Sequence, residues 1–515
     1  MASAPEPESR HTRTSGHALL LCLLLGAETL AYALFRLPTD LGFDANAFGD
    51  RGDFLSIAYL VAHGSHPAID FGYHWGLVPI LLAQVWFALF GATVQANEAV
   101  MVICALMVAI GMARMAAPLR LGNLGVGLLV VALPFAFPTF TLTYALEAAL
   151  LSNALAEQAA QRRSTALALV TVTCFVNPSM AYLYGFVLLL ELLWGSRRAN
   201  SQGGFSTDWR GIFRAVMPAG IAGAVLILIL CAVYGPLALA RTILPLAGMA
   251  AHRNQASGFF RGVGRDFWYQ PQQGLPFYLF TVVGFWIAAS LWLIVAGLRA
   301  LGRLLSAPRA DTRAADGLVL TCAILHVTFV TVFFGSEVSW RYYCYILVMG
   351  VAASSIRDLL SARIATVLAG MALVGNLSHF AQIGDQWRTT SPSRVTAGMW
   401  ASPEEVQEWE QVQRAVGDNP AGNRALVLSA MGCAPLLSAR FEPPFANHFT
   451  PGELMPDQLA RLMRQIDLAQ RIVVVISPGF GNLLVWWPDI QHALDRHELI
   501  WKGKSFAVYG PRRPG

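Results

Sequence analysis

Long apolar segments follow one another through the first 384 residues of this chain, and arginine-bearing loops separate them. Charged residues make up 13% of the 515 residues, about half the share found in soluble globular domains. After position 384 acidic and basic residues become frequent and balance each other, so the net charge of +5 arises before it. This distribution predicts a polytopic membrane domain followed by a water-soluble tail.

Arginine positions predict how the apolar segments are threaded through a membrane. Arg10 and Arg13 precede the first segment, which is predicted to be an uncleaved signal anchor with a cytoplasmic N-terminus. Later arginine clusters should share that side. About eleven spans satisfy this rule, and their odd number places the tail outside a bacterial inner membrane, in the periplasm of a Gram-negative host. These spans are 17–37, 98–117, 123–138, 144–160, 164–176, 180–195, 212–234, 275–298, 317–335, 341–356 and 364–382.

The apolar run from Trp75 to Gly91 does not fit this threading as a span. If it crossed the membrane, Arg114, Arg120 and every later arginine cluster would lie on the outer side. The positive-inside rule therefore predicts that this run lies in the outer interface, as a helix anchored by Trp75 and Trp86.

The two shortest apolar segments, 164–176 and 180–195, flank the sequence Asn177-Pro178-Ser179. This sequence predicts a break between them. The two segments then form either two spans or a broken pair that crosses the membrane only as a unit.

The tail predicts a small α/β domain of about 100 residues. Its predicted elements are helices at 403–416 and 456–468 and strands at 424–429, 471–477 and 498–509, the last as a hairpin around Gly503. The predicted fold is therefore an all-α polytopic membrane domain with a small C-terminal α/β soluble domain. The predicted parts are a cytoplasmic N-terminus (1–16), the membrane domain (17–383) with its first outer loop (38–97), and the outer tail (384–515).

The first outer loop is unusually acidic for a segment next to a membrane. The apolar pattern predicts a short amphipathic helix from Asp50 to Ala62, with two acids in its first turn. The helix macrodipole favours acids there, but it does not explain five of them beside anionic lipid. We therefore predict a functional role for at least one. The five are Asp40, Asp44, Asp50, Asp53 and Asp70.

The loop sequence from Gly64 to Gly76, GSHPAIDFGYHWG, follows Asp50 and is itself followed by Leu89-Phe90-Gly91. This succession resembles the first outer loop of the GT-C superfamily, whose members are polytopic glycosyltransferases that use polyprenyl-phosphate-linked sugars. They include protein mannosyltransferases and lipid A aminoarabinose transferases. A second acid, a tyrosine and a proline are frequent in the family at the positions that here are Arg51, Ala68 and Leu77.

The resemblance implies a GT-C-like membrane domain with a catalytic or metal-associated carboxylate early in the loop and an interfacial helix after it. Asp50 and Asp53 are the candidates for that carboxylate, and the choice between them stays open. Asp70 and His74 are candidate substrate-binding residues. For His74 the alternative is a polar side chain that merely lies at the interface.

Glu147 lies near the outer end of the fourth predicted span. An acid inside a span is a functional hypothesis by default, and members of the GT-C superfamily often carry a second acid at a similar place. The alternative is a hydrogen bond to a neighbouring helix without a catalytic role. We favour a catalytic role for Glu147, whereas Glu28 and Glu191 are predicted to be helix-packing partners.

Arginines in a second outer loop, 235–274, run against the positive-inside rule. Arginine binds phosphate through a fork of donors, so this loop is predicted to hold a lipid phosphate. Attraction to lipid headgroups alone is an equal alternative. Arg341 resembles a basic residue that the family places near the substrate phosphate, although it has Glu337 as an alternative partner. The predicted phosphate-binding residues are Arg241, Arg253, Arg261, Arg265 and Arg341.

These predictions favour a membrane glycosyltransferase that moves a sugar from a polyprenyl-phosphate donor to a glycolipid, polysaccharide or protein outside the cytoplasm. Asp50 or Asp53 is the predicted general base. Glu147 either orients the acceptor or helps to hold a divalent cation, Mg²⁺ or Mn²⁺; the sequence identifies no other cofactor and leaves metal dependence open. Membrane lipids are expected partners and nucleic acids are not. The alternatives are a lipid or polysaccharide translocator and a scaffold whose tail binds a partner.

Overall fold

The computed structural model describes most of the membrane domain and the regular elements of the tail. The first predicted span, apart from Gly26, and the segments 245–283 and 331–342 lie outside the described residues. The described residues are 26, 50–62, 64–71, 73, 75–136, 141–199, 205–244, 284–306, 310–330, 343–383, 403–417, 425–428, 456–476, 484 and 488–512.

Helices build the described part of the membrane domain. In chain order they are α1 (Asp50–Ala62), α2 (Val78–Phe90), α3 (Val94–Leu119), α4 (Asn123–Ala136), α5 (Leu142–Ala159), α6 (Arg163–Cys174), α7 (Pro178–Gly195), α8 (Trp209–Tyr234), α9 (Pro236–Ile243), α10 (Gly284–Ser306), α11 (Ala310–Thr328), α12 (Cys344–Ser354) and α13 (Leu359–Ile383). An antiparallel hairpin lies between α7 and α8, formed by β1 (Arg197–Ala199) and β2 (Phe205–Thr207). Helix α1 has the bounds that the sequence predicts.

Helix α5 is the centre of the bundle. Its sequence, LTYALEAALLSNALAEQA, is rich in alanine, and nearly all of its residues are buried. The Thr141 hydroxyl accepts a hydrogen bond from the Tyr144 N–H, which satisfies a donor that the helix itself leaves free. Small residues permit close approach: a Cβ added to Gly111 of α3 would lie 2.8 Å from the backbone of Ser152. Such contacts are typical of helix association in membranes.

The helical bundle has two distinct ends, which we call the loop end and the arginine end. The loop end carries residues 64–77 and α2, and the arginine end carries ion pairs between neighbouring helices. Helices α3 and α5 run parallel between them, because Asn153 bonds to the Met107 carbonyl at 2.9 Å and Glu157 pairs with Arg114 further along. The ion pairs of the arginine end include Arg114–Glu157, Arg162–Glu157, Arg163–Glu191, Arg303–Asp316, Arg357–Asp316 and Arg299–Asp358.

Helix α2 lies along the loop end and does not cross the bundle. Its 13 residues extend over about 20 Å, less than the ~30 Å of a bilayer's hydrocarbon core. The N–H of its first residue donates to the Phe175 carbonyl at 3.0 Å, and the Trp86 indole donates to the Ala96 carbonyl at 2.7 Å. Tyr234 bonds to Gln84. These partners all lie at helix termini of the loop end, so both ends of α2 lie at this end of the bundle, in agreement with the prediction of an interfacial helix.

Helices α6 and α7 form an antiparallel hairpin whose turn lies at the loop end. Arg163 at the start of α6 pairs with Glu191 near the end of α7 at 3.0 Å, and a Cβ on Gly185 would lie 3.5 Å from Val170. Of the two alternatives that the sequence leaves open, this antiparallel hairpin favours two separate segments over a broken pair. Glu191 also accepts a hydrogen bond from Gln158, which confirms its predicted role in helix packing.

Helix α8 exposes an apolar surface on the outside of the bundle. It projects large apolar side chains outward; Phe213 and Leu228 are each 70% exposed. A helix of this kind is stable where its surroundings are themselves apolar. Three helices among the described residues are long and apolar enough to cross a membrane, at Ala96–Leu119, Trp209–Tyr234 and Gly284–Ser306. The other apolar helices are shorter, and the number of eleven spans stays a prediction.

The tail contains the α/β elements that the sequence predicts. Its helices are α14 (Pro403–Val416), α15 (Pro456–Leu468) and α16 (Pro488–Leu494), and its strands are β3 (Ala425–Leu428), β4 (Arg471–Val475), β5 (His497–Lys502) and β6 (Phe506–Pro511). The sheet order is β3-β4-β6-β5, with β3 and β4 parallel and the other pairs antiparallel. Gly503 turns the β5–β6 hairpin, where its N–H donates to the Phe506 carbonyl at 2.8 Å. Helix α16 is the element that the sequence does not predict.

Candidate active site at the loop end

The break between α6 and α7 places an amide side chain inside the bundle. Pro178 is the first residue of α7, and Asn177 before it is extended, with φ −144° and ψ 105°. Proline disfavours the helical conformation in the residue that precedes it. The Asn177 side chain is buried, and its Nδ2 donates to Glu147 Oε2 at 2.8 Å and to the Tyr343 hydroxyl at 3.2 Å.

Glu147 is the centre of this group, which we call the Glu147 cluster (Glu147, Asn177 and Tyr343). Glu147 is 1% exposed, and the Tyr343 hydroxyl donates to its carboxyl group, whose oxygens lie 3.0 and 3.2 Å away. Its hydrogen-bond partners among the described residues are thus a phenol and an amide, both neutral. Burial of a carboxylate without a cation costs free energy. An acid held in this way inside a buried helix makes Glu147 a candidate functional residue.

The first outer loop docks directly beside the Glu147 cluster. The N–H groups of Gly76 and Val78 donate to the carbonyls of Val176 and Phe175, both at 3.0 Å. A Cβ added to Gly76 would lie 2.0 Å from the Phe175 carbonyl oxygen, so this approach requires glycine. The loop backbone is thereby joined to the two residues that precede Asn177, which fixes its distance from the buried acid.

A row of aromatic rings connects the loop to the cluster. Trp75 makes edge contacts with Tyr73 and Tyr144, with ring centroids 5.6 and 6.2 Å apart. Tyr144 in turn contacts Tyr343 at 6.4 Å, and Phe329 packs on Tyr343 at 4.0 Å. Aromatic pairs favour such tilted and edge-on arrangements. The row fixes the ring of Tyr343, whose hydroxyl bonds to the buried acid.

A tight turn from His66 to Asp70 precedes the docked segment. Asp70 Oδ2 accepts from the His66 N–H at 2.7 Å, and the Asp70 N–H donates to the His66 carbonyl at 2.8 Å. Arg241 of α9 donates to the Ala68 carbonyl at 2.9 Å, and Arg461 of the tail pairs with Asp70. The tail therefore contacts the bundle at the loop end.

The structure places the predicted site residues in different situations. Glu147 lies in the buried cluster, whereas Asp70 and Arg241 contact the turn. Asp50 and Asp53 lie in the first turn of α1, as predicted, and their side chains are outside the described part of the chain. The other predicted residues lie outside the described ranges: His74, Arg253, Arg261, Arg265 and Arg341.

The described surroundings of Glu147 do not fit a divalent cation. Within the described ranges, no three His, Cys, Asp or Glu side chains gather closely enough to hold a metal ion. Mg²⁺ and similar ions bind through several oxygen ligands, whereas Asn177 and Tyr343 present hydrogens to the carboxyl group. The chemistry below therefore uses no step through a metal.

Three residues of this region are absent from the sequence-based set: Asn177, Tyr343 and Arg461. Asn177 is visible in the sequence only as part of a helix break, although a polar side chain at a proline between two apolar segments is itself a signal. Tyr343 stands two residues after Arg341, which the sequence does single out. Arg461 lies on an ordinary amphipathic helix, and no local pattern distinguishes it from Arg464.

Comparison with known proteins supports the architecture. No protein-family model and no curated protein matches this sequence. Among solved structures, the chain is similar to ArnT from Cupriavidus metallidurans, whose crystal structure has undecaprenyl phosphate bound. The two share 13% sequence identity and a TM-score of 0.53, over 96% of this chain and 98% of ArnT. This chain therefore has the overall fold of ArnT over nearly its whole length, which bears out the predicted GT-C-like architecture in outline.

Proposed function

We propose that this chain is a membrane glycosyltransferase that transfers a sugar from a polyprenyl-phosphate donor to an acceptor outside the cytoplasm. The observation that carries the proposal is the Glu147 cluster, buried directly beside the loop that resembles the GT-C superfamily. The fold adds support, because ArnT binds a polyprenyl phosphate. A glycolipid, a polysaccharide or a protein of the cell envelope would be the acceptor.

The position of α2 suits a donor carried by a lipid. This helix lies across the loop end and leaves Leu89 and Phe90 largely exposed, as expected for a helix in the membrane interface. A polyprenyl chain stays in the bilayer while its phosphate and sugar lie at headgroup level, next to such a helix. With the arginine end in the cytoplasm, the loop end and the tail face the periplasm of a bacterial inner membrane.

The proposed reaction is a single displacement. The acceptor hydroxyl oxygen attacks the anomeric carbon while its proton passes to Asp50 or Asp53. The bond between that carbon and the phosphate oxygen breaks, and polyprenyl phosphate leaves with the electron pair. Guanidinium groups stabilise the negative charge on the leaving group. The candidates for this role are Arg241, Arg253, Arg261, Arg265 and Arg341.

Glu147 has the role of orienting the acceptor hydroxyl. Tyr343 and Asn177 hold its carboxyl group from two sides, so the remaining lone pairs have a fixed direction. Positioning of a reacting hydroxyl by such a group lowers the activation barrier, because the alignment is set before the reaction begins.

Product analysis tests this proposal. Membranes containing the wild-type chain, Asp50→Asn or Asp53→Asn receive polyprenyl-phosphate sugars extracted from the native host, and mass spectrometry follows the lipids. We expect free polyprenyl phosphate and a new glycosidic bond with the wild type, and about a hundredfold less with one of the two variants. Sugar that crosses the membrane still attached to its lipid would instead indicate a translocator. Full transfer by both variants would contradict the assignment of the base.

A further inference from the structure

Among the described residues, an ion pair joins the tail to the first outer loop. Arg461 Nη1 contacts Asp70 Oδ1, and the two side chains are 39% and 32% exposed. Arg461 lies on α15, whose Leu462 and Ile466 are buried in the tail. Because the positions of Leu462 and Ile466 define one face of the helix, Arg461 leaves α15 on a different face, from which it reaches the membrane domain.

The carboxylate of Asp70 contacts both the turn in the first outer loop and the tail. Its Oδ2 accepts from the His66 N–H at 2.7 Å, which closes the turn from His66 to Asp70. Its Oδ1 meets Arg461 of the tail. One oxygen thus stabilises the turn and the other binds the tail to it. This arrangement favours a docking role for Asp70 over the substrate-binding role that the sequence suggests.

The same turn needs support from outside. Ala68 has φ 60°, a left-handed conformation that is unfavourable for a residue with a Cβ and persists where its surroundings stabilise it. Arg241 supports the turn from the bundle, at the Ala68 carbonyl, and Arg461 supports it from the tail. The turn lies between α1, which carries Asp50 and Asp53, and the docked segment that ends at Gly76.

We propose that Arg461 is a positioning residue of the transferase. By docking on Asp70 it holds the turn, and with the turn it holds the geometry between α1 and the Glu147 cluster in which the polyprenyl-phosphate donor binds. The effect on donor binding rests on the proposed function, whereas the docking itself does not. The tail then supports the active site instead of forming a separate module.

Hydrogen–deuterium exchange of the full-length protein in nanodiscs tests the docking without any assay of activity. In Arg461→Gln the amides of residues 66–71 should exchange about threefold faster, the size expected for loss of a partly exposed ion pair. Salt at about 1 M, which shortens the screening length to ~3 Å, should bring the wild type to the same rate and leave the variant unchanged. Arg464→Gln, exposed on the same helix, is the matched control and should behave as the wild type. Equal rates in the wild type and Arg461→Gln would overturn the docking.

Binding of undecaprenyl phosphate tests the positioning role. The dissociation constant should rise about threefold in Arg461→Gln and return to the wild-type value in Arg461→Lys, which keeps the charge. If Arg461→Gln binds this lipid as tightly as the wild type does, the positioning role is overturned even where the exchange result stands. If the wild type itself does not bind it, the proposed function fails and the positioning role fails with it, while the exchange experiment still decides the docking.

Discussion

Three acidic residues at the arginine end have a different kind of partner from Glu147 at the loop end. At the arginine end, Glu157, Glu191 and Asp316 each pair with an arginine of a neighbouring helix. At the loop end, Glu147 is buried between Tyr343 and Asn177. An ion pair offsets part of the cost of burying an acid and also fixes one helix against another. Two neutral donors offset less, so the comparison assigns the first set of acids to the fold and Glu147 to chemistry.

Asp316 illustrates the structural kind of acid. It accepts from Arg303 at 2.8 Å and from Arg357 at 2.9 Å, so one buried carboxylate joins two elements of the arginine end. Burial lowers the pKa of the Arg357 guanidinium, and the nearby Asp316 carboxylate opposes that shift. Each charge at this end therefore makes the burial of the other less costly.

The largest effect that the comparison predicts is on transfer, in Glu147→Gln. Glutamine keeps the shape of the side chain but puts an NH2 donor in place of one acceptor oxygen, which removes lone pairs that could orient a substrate hydroxyl. We expect transfer of sugar from the polyprenyl-phosphate donor to fall about a hundredfold, with little change in thermal unfolding. The matched variant Glu191→Gln, at the arginine end, should retain transfer. Equal transfer rates in the two variants would remove the distinction between the ends.

The next effect is on stability, in Asp316→Asn. The substitution removes the negative charge that Asp316 places beside Arg357, whose side chain is 9% exposed. The free energy of unfolding should fall by about 2 kcal/mol, less than for a fully buried pair because the Arg303 side chain is 40% exposed. Denaturant unfolding in detergent measures this, and transfer per folded molecule should not change. Asp358→Asn is the control: it weakens a pair at 3.6 Å whose side chains are 44% and 42% exposed, keeps an oxygen for the Ser361 N–H, and should cost less than about 1 kcal/mol.

A smaller effect is expected at the contact that seats the loop, in Gly76→Ala. The added methyl group would lie 2.0 Å from the Phe175 carbonyl oxygen, so the loop must shift, at a cost of about 1 kcal/mol. Transfer should fall about fivefold, the equivalent of that free energy. Gly220→Ala on α8, where nothing lies within 4 Å of the new atom, controls for the change of residue. A variant that transfers as fast as this control would show that the loop contact does not set the site.

The features of the fold that could be predicted are those that depend on residues close together in the sequence. Arg114 and Arg120 follow the run from Trp75 to Gly91 closely enough to exclude it as a span, and the structure keeps α2 at one end. Helix α15 starts and ends where its proline and apolar pattern predict. The α6–α7 break is equally local, but it is compatible with a hairpin and with a single broken span. Contacts between the two helices, such as Arg163 with Glu191 and Gly185 with Val170, decide between them.

The residues of the candidate site also differ in whether the sequence alone reveals them. Glu147 is visible from sequence because an acid inside an apolar segment is rare and costly. Tyr343 is not, because it becomes its neighbour only through packing across 196 positions of the chain. Asp70 and Arg461 are 391 positions apart, and neither residue indicates the other. Side chains that meet through tertiary structure alone leave no periodic signal.

The place where undecaprenyl phosphate binds tests the central claim most directly. Hydrogen–deuterium exchange of the full-length protein in nanodiscs is measured with and without this lipid. We expect slower exchange in residues 64–76 and 175–177 of the loop end, and no change in residues 157–163 of the arginine end. Slower exchange at the arginine end alone, or at neither end, would contradict a polyprenyl-phosphate site beside the Glu147 cluster.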